Sequence, residues 1–335
     1  MLATTFLQRA LRHLALLIGT LLDSTLEELG GRVQHLRRLV DRNVKTWSAF
    51  NPSIAVDDKG NYCVAIRSSN YVILGHGELF VTTGGPIRNQ VWFAKLNDDL
   101  KIEDENLWKV NFSAAAIDVK GEVVRGVEDP KLVWREGWVF MGVFLERNVP
   151  VARNCVCYMD KSAKSVTRVD ILPGIETKKP EKNWMTCAKQ PKNFDYVYDG
   201  NAVVIGDRVI HRLRDNPHLN KLRGNGQLLE YSNGTYIGLM HSLEINRYTK
   251  FSSTTFGMLE YVHKTYSHYF VRFDEDGWII EISAPFCFEA PGIEFANGIV
   301  ERGDEYVISY GREDVSAHLG IIDKKIVSRL MKSVD

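Results

Sequence analysis

A basic excess is missing from this sequence: 42 lysines and arginines face 42 aspartates and glutamates over 335 residues. Proteins that grip duplex nucleic acid normally carry a surplus of positive charge, so no nucleic-acid partner is implied. Cysteine is scarce and odd in number: Cys63, Cys155, Cys157, Cys187 and Cys287. The spacing fits neither a disulfide framework nor a zinc knuckle, which points to reduced thiols and a cytoplasmic protein. Cys155 and Cys157 are expected to be neighbours on one strand face rather than ligands. No Gly-rich nucleotide loop and no Asp-x-Asp metal motif stands out, so neither a metal nor an organic cofactor is implied, and an ordinary nucleotide-sugar transferase is disfavoured. The apolar run at residues 13–22 is too short to span a bilayer, and no small-x-small cleavage site follows it. Integral membrane insertion is therefore not expected.

What is present is a globular composition, 44% hydrophobic and 25% charged, which rules out a disordered chain. At the N-terminus Leu7, Leu11, Leu14, Ile18, Leu22, Leu26, Leu29, Val33, Leu36 and Val40 recur at steps of three and four. That spacing predicts an amphipathic helical extension over 1–46, broken near Gly30-Gly31 and suited to homo-oligomer assembly. A helix lying on a membrane surface is the alternative. From Trp47 onward the period changes to short alternating runs separated by turn signals such as Asp57-Asp58-Lys59-Gly60-Asn61 and Asp274-Glu275-Asp276-Gly277. The hairpins group into five units, at about 49–109, 125–172, 183–222, 226–288 and 293–330. The expected fold is all-β, a five-bladed β-propeller over 47–335, with a two-domain β-sandwich as the alternative.

In a propeller the axial pocket collects residues from every unit, so site residues should recur near unit starts. They do: Asn51-Pro52-Ser53 with Arg67, then Glu128-Asp129-Pro130-Lys131, then Glu181-Lys182-Asn183-Trp184-Met185. Arg223-Gly224-Asn225-Gly226-Gln227 with His241 follows, and Ile293-Glu294 with Tyr310 and Asp314 closes the series. Each has a bland reading when taken alone. Glu-Asp-Pro is often only a turn whose Asp bonds backbone amides. Trp184 reads as a core indole, His241 as a satisfied core histidine and Tyr310 as an ordinary strand aromatic. The chemical reading rests on recurrence once per unit.

Taken in order, Asn51-Pro52-Ser53, Arg67, Glu128-Asp129-Pro130-Lys131, Glu181-Lys182-Asn183-Trp184-Met185 and Tyr310-Gly311-x-x-Asp314 resemble glycoside hydrolase family 130. That family holds the β-mannoside phosphorylases and their relatives. The likeness covers about residues 48–325 and is greatest to the family-130-like domains that accompany bacterial glycosyltransferase and polysaccharide genes. It implies a five-bladed propeller with an axial sugar site and a glycoside or oligosaccharide substrate. Asp129 falls on the family's general acid, which protonates the leaving oxygen while a nucleophile attacks with inversion. The resemblance places Asn51, Arg67, Glu128, Asn183, Trp184 and Asp314 at the sugar. It places Lys131, Arg153, Lys182, His241 and Tyr310 around inorganic phosphate as a co-substrate.

Two positions depart from the pattern. Lys131 replaces an Arg, and an ammonium offers one point charge where a guanidinium grips two oxygens. Thr186 stands where a Pro typically follows the Met. An inverting hydrolase would also need a second carboxyl about 6.5–9.5 Å from the first; Glu128, Glu244 and Glu294 are the candidates. As an acid, Asp129 should have its pKa raised by Glu128 and by partial burial while the substrate is bound. Phosphorolysis, hydrolysis and glycosyl transfer use the same parts. A non-catalytic glycan-binding propeller and an oligomeric scaffold are the readings from other classes.

Overall fold

A computed structural model of the chain describes residues 23–36, 47–73, 79–112, 126–145, 152–172, 182–189, 191–212, 216, 218–232, 234–252 and 257–334. The chain is mostly β, and the runs read from the sequence become antiparallel sheets in chain order. The first sheet holds Ser48–Val56, Tyr62–Ser69, Asn89–Leu96 and Ile102–Lys109; the second holds Glu128–Trp134, Trp138–Leu145, Ala152–Met159 and Ser165–Ile171. The third unit is the small group Tyr196–Asp199, Ala202–Ile205 and Arg208–His211, joined to the fourth where Asp199 pairs with Arg223. The fourth is built on Arg223–Glu230, Tyr236–Ser252, Gly257–Phe273 and Ile279–Ser283. The fifth holds Glu294–Arg302, Glu305–Arg312 and Ser316–Asp323.

Successive side chains of a strand point to opposite faces, and here both faces are covered. In the first sheet Ala55, Cys63 and Ala65 pack with Leu132 and Phe140 of the second, while Ile54, Val64 and Ile66 pack with Val300 and Val307 of the fifth. The second meets the third through Met141, Trp184 and Val204, and the third meets the fourth through Val197, Val203, Met240 and Val271. Leu239 and Phe270 of the fourth pack with Ile299 and Ile308 of the fifth. Two-sided burial explains why these strands read as nearly continuous apolar runs.

The first strands of four sheets, Ser48–Val56, Glu128–Trp134, Arg223–Glu230 and Glu294–Arg302, pack against one another without sharing a ladder. Their backbone groups must therefore find side-chain partners. Ser53 Oγ accepts from Leu132 N at 2.8 Å, and Ser309 Oγ accepts from Ile54 N at 3.0 Å. Gln227 Nε2 donates to Ile54 O and Ile299 O at 2.6 and 2.9 Å. Asn297 Nδ2 donates to Asn51 O and Pro130 O at 3.1 and 2.8 Å. These buried ties hold the four strands in register with one another.

The helical extension expected over 1–46 is not what residues 23–36 form. Ser24–Thr25 pairs with Phe286–Cys287, and Arg32–His35 is the outer strand of the fifth sheet, beside Ser316–Asp323. Between them a single turn is closed reciprocally by Thr25 and Glu28, and Gly30 reverses the chain at a φ of +95°. A strand beside it leaves no room for a helix: a Cβ on Gly31 would lie 2.8 Å from Ile321 O. The helical spacing of Leu26, Leu29, Val33 and Leu36 had another cause, because Leu26 and Leu36 fill two different cores. The rest of that predicted element, 1–22 and 37–46, lies outside the described residues. Among the described residues no helix is long and apolar enough to cross a membrane. All five cysteines are buried and free, with Cys155 and Cys157 sulfurs 3.9 Å apart on one strand face.

Candidate active site

Each of the four inner strands carries a register shift near its start. The shifts fall between Phe50 and Ser53, Glu128 and Lys131, Asn225 and Leu229, and Ala296 and Gly298. A bulge frees a residue from the ladder and re-aims its side chain, and proline, which cannot donate to a ladder, is tolerated there. The freed residues include Asn51 and Asp129, each followed by proline and held at φ of 47° and 46°. Asn183 and Asp314, at φ of 67° and 52°, share that left-handed backbone. Asn and Asp bear it at lower cost than other non-glycine residues. All four line one cavity of about 320 Å3, near the lower end of ligand-pocket sizes.

Asp129 lines this cavity and is held there by two donors. Asn51 Nδ2 donates to Asp129 Oδ1 at 2.8 Å, and the Arg67 guanidinium donates to the same oxygen at 2.9 Å. Arg67 also donates through Nε to Asn89 at 2.9 Å, lies 3.5 Å from Glu128 and sits over the Phe50 ring. Glu128 in turn accepts from Lys182 Nζ at 3.0 Å. Burial by itself would raise the Asp129 pKa, but Arg67, the Asn51 amide, Lys182 and Lys131 outweigh it and hold the carboxyl at about 2. In the free site Asp129 is therefore a carboxylate, because guanidinium and amide donors stabilise the charged form. Asp314 behaves in the opposite way: burial raises its pKa, against the lowering effects of Arg67 and of a 2.8 Å hydrogen bond from Tyr71 OH.

Of the residues placed at the site by resemblance, Asn51, Arg67, Glu128, Asp129, Lys182, Asn183 and Asp314 line the cavity. Trp184, Lys131, Arg153, His241 and Tyr310 do not. Trp184 is buried against Tyr196 and Tyr198, as a core indole. Tyr310 stacks on Phe288 at 4.0 Å and gives its hydroxyl proton to Glu289 Oε1 at 2.8 Å. His241 is buried behind Tyr266 and Phe295, and burial lowers its pKa, so it is neutral. Its Nδ1 lies 2.7 Å from Asn225 Oδ1, and since that amide's Nδ2 donates to Ala296 O, Nδ1 carries the proton and Nε2 a lone pair. Such a nitrogen repels phosphate oxygens. Arg153 lies on the strand Ala152–Met159, opposite Phe144. The candidate bases separate as well. Glu294 accepts three backbone amides from Phe288, Glu289 and Ala290, which makes it a loop clamp, and Glu244 is exposed on a strand opposite Thr265.

Lys131 is fully buried, and its Nζ has no hydrogen-bond partner among the described residues. Burial lowers its pKa to about 8, with Asp129 acting in the opposite sense. Between about 8 and the ordinary 10.5 the unfolded chain binds the extra proton, so stability rises with pH through that window. Below it, keeping the charge costs on the order of 3 kcal/mol. Lys131→Met is expected to raise the thermal midpoint at neutral pH and to abolish the alkaline rise, which thermal unfolding at neutral pH and within the window measures.

The cavity also contains Tyr71, Ile293 and Phe295, which lie in the unit-start stretches but had no role attached, and Ile73, Ile87, Lys264 and Tyr266, which lie outside them. Lys264 and Tyr266 sit on the long strand Gly257–Phe273, where no glycine, proline or turn marks a site. A usable signal was present at the unit starts. Asn51, Asp129, Asn183, Asn225 and Asn297 put an Asx at the head of all five units, and Pro or Gly follows in all but the third.

No protein-family model and no curated protein sequence matches the chain. Solved structures match its fold. A β-1,2-mannobiose phosphorylase from Listeria innocua, in complex with β-1,2-mannobiose, matches with a TM-score of 0.54 and 13% identity, over 87% of this chain and 94% of that one. A structure from glycoside hydrolase family 130, whose mannoside phosphorylases include hydrolases that target β-1,2 mannosidic linkages in Candida mannan, matches with a TM-score of 0.57 and 14% identity, over 88% and 94%. A GDP-Man-dependent mannosyltransferase from Leishmania mexicana matches with a TM-score of 0.54 and 13% identity, over 91% and 92%. The fold of this chain is that of the family 130 proteins, as the ordered motifs implied.

Proposed function

We propose that residues 47–335, joined by the strand Arg32–His35, form a five-bladed propeller that acts on mannoside-type glycosides with inversion, by hydrolysis or by transfer to a hydroxyl acceptor. Apolar cores between successive sheets, and between the fifth and the first, support the ring. The observation that carries the reading is Asp129 in the cavity lining, gripped by Arg67 and Asn51. Buried free thiols support a reducing compartment such as the cytoplasm.

In cleavage, Asp129 gives a proton to the bridging oxygen as the bond from that oxygen to the anomeric carbon breaks, and a water or acceptor hydroxyl attacks the opposite face and loses its proton to solvent. Asp129 is left as a carboxylate in the arms of Arg67 and Asn51. In the reverse sense the carboxylate takes the proton of an acceptor hydroxyl as the new bond forms and the leaving group departs from the donor. The free site begins in this second state, since Asp129 is held at about 2. Asp314, with its raised pKa, lines the cavity beside Asp129 and Glu128 and hydrogen-bonds sugar hydroxyls.

Phosphate as co-substrate is the weaker version. Only Lys182 of its five expected partners lines the cavity, and that lysine already pairs with Glu128. The test is a set of mannosides incubated with and without phosphate and followed for mannose and mannose 1-phosphate over a range of pH. The expected result is free mannose or a transfer product that ignores phosphate, with kcat/KM for cleavage falling as pH rises because fewer Asp129 carboxyls carry the needed proton. Release that strictly requires phosphate sinks the hydrolysis and transfer version. The same screen without any turnover leaves the cavity as a glycan-binding site only.

A further inference from the structure

Three aliphatic side chains, Ile73, Ile87 and Ile293, are half-buried in the cavity lining, beside half-buried polar groups such as Asp129, Lys182 and Asn183. One wall then continues outward. The strands Tyr236–Ser252 and Gly257–Phe273 pair along their whole length, with Leu243 opposite Tyr266 and Ile245 opposite Lys264. Directly opposed residues of an antiparallel pair stand on the same face. Tyr266 and Lys264 line the cavity, so Leu243 and Ile245 stand on the cavity side of the ribbon, and Val262, two residues from Lys264, extends that side. Leu243 and Ile245 are 40% and 50% exposed and belong to none of the apolar cores among the described residues.

A second sugar ring calls for hydrogen-bonding groups and flat aromatic faces. Aliphatic side chains in the cavity lining, continued by exposed ones along the adjoining ribbon, call for hydrocarbon. We propose that the ribbon and the lining isoleucines form a shelf for an apolar aglycone, an alkyl or aryl group carried on the bridging oxygen of the glycoside. The acceptor in the bond-forming direction would then be an alcohol of that kind. This inference rests on the mannoside reading of the cavity.

The test is calorimetric binding of methyl, butyl and hexyl mannosides, with hexyl glucoside beside them, to the full chain and to a Leu243→Ser, Ile245→Ser double variant. At half of the full burial increment, affinity should rise about twofold per methylene, or about thirtyfold from methyl to hexyl. The double variant should bring the hexyl-to-methyl ratio close to one, and exposed side chains can be exchanged without loss of fold. Equal binding across the series, a gain that survives the double variant, or no binding of any member overturns the shelf. Hexyl glucoside that binds as well as hexyl mannoside, with both weakened in the variant, supports the shelf and removes the mannoside specificity of the cavity.

Discussion

Asp129→Asn lowers turnover of a mannoside about a thousandfold while the chain stays folded. The size follows from what a positioned acid or base contributes, about a hundredfold to ten-thousandfold. Asparagine keeps an oxygen for Arg67 and Asn51 and tolerates the φ of 46°, but it has no proton to exchange at the bridging oxygen. The stability effect has a definite sign. The folded pKa of Asp129 is lowered from 3.8 to about 2, so its contribution is present above pH 3.8 and is lost as pH falls through about 2. That contribution is on the order of 2 kcal/mol, well inside the stability of an ordinary domain, about 5–15 kcal/mol. Thermal unfolding of the variant therefore shows a lower midpoint at neutral pH and a weaker acid limb. Mannoside affinity by calorimetry separates loss of chemistry from loss of the site. Turnover within tenfold of the parent would remove Asp129 from the mechanism.

Gly226→Ala is strongly destabilising. Gly226 holds φ of +66° on an inner strand, and a Cβ there would lie 2.6 Å from the Asn297 carbonyl carbon and oxygen and 2.7 Å from Gly298 N. Those are backbone atoms and cannot rotate away. The left-handed backbone costs about 1–2 kcal/mol for a non-glycine residue, and forcing the strands apart adds about 1–3 kcal/mol. The total is about 2–5 kcal/mol, to be read from urea midpoints. Gly303→Ala is the control, because its φ of +58° is similar and nothing lies within 4 Å of the added carbon. It should cost only the backbone part. Gly226→Ala should also reduce activity, since Asn297 ties Asn51 O and Pro130 O and so positions both cavity bulges. Equal losses in the two variants would show that the inner strands are not closely packed at this point.

Much of the architecture was legible before the structure. Turn signals such as Asp274 to Gly277 and runs such as Tyr306 to Tyr310 delimit hairpins, because the period of two and the need for Gly, Asn and Asp in tight turns are local properties. The N-terminal reading failed for the opposite reason. Leu26, Leu29, Val33 and Leu36 fit a helical face, but the strand Ser316–Asp323 offered an open edge, and pairing with it overrode the local preference of 32–35.

The site divides along the same line. By itself the sequence determined that each unit opens on an Asx, followed in four of the five by Pro or Gly, residues that bulges and left-handed backbone select locally. It thus marked Glu128-Asp129-Pro130-Lys131. Only the tertiary structure decided how these neighbours differ. The bulge turns Asp129 to the cavity and leaves Lys131 in the interior, two residues along. Arg67 and Asn51, far away in the chain, then fix one carboxyl as an anion, while burial, ahead of any neighbouring charge, pushes Asp314 and Lys131 toward neutrality. A charge state is a balance between desolvation and partners, and both are set by what folds around the residue rather than by what precedes and follows it.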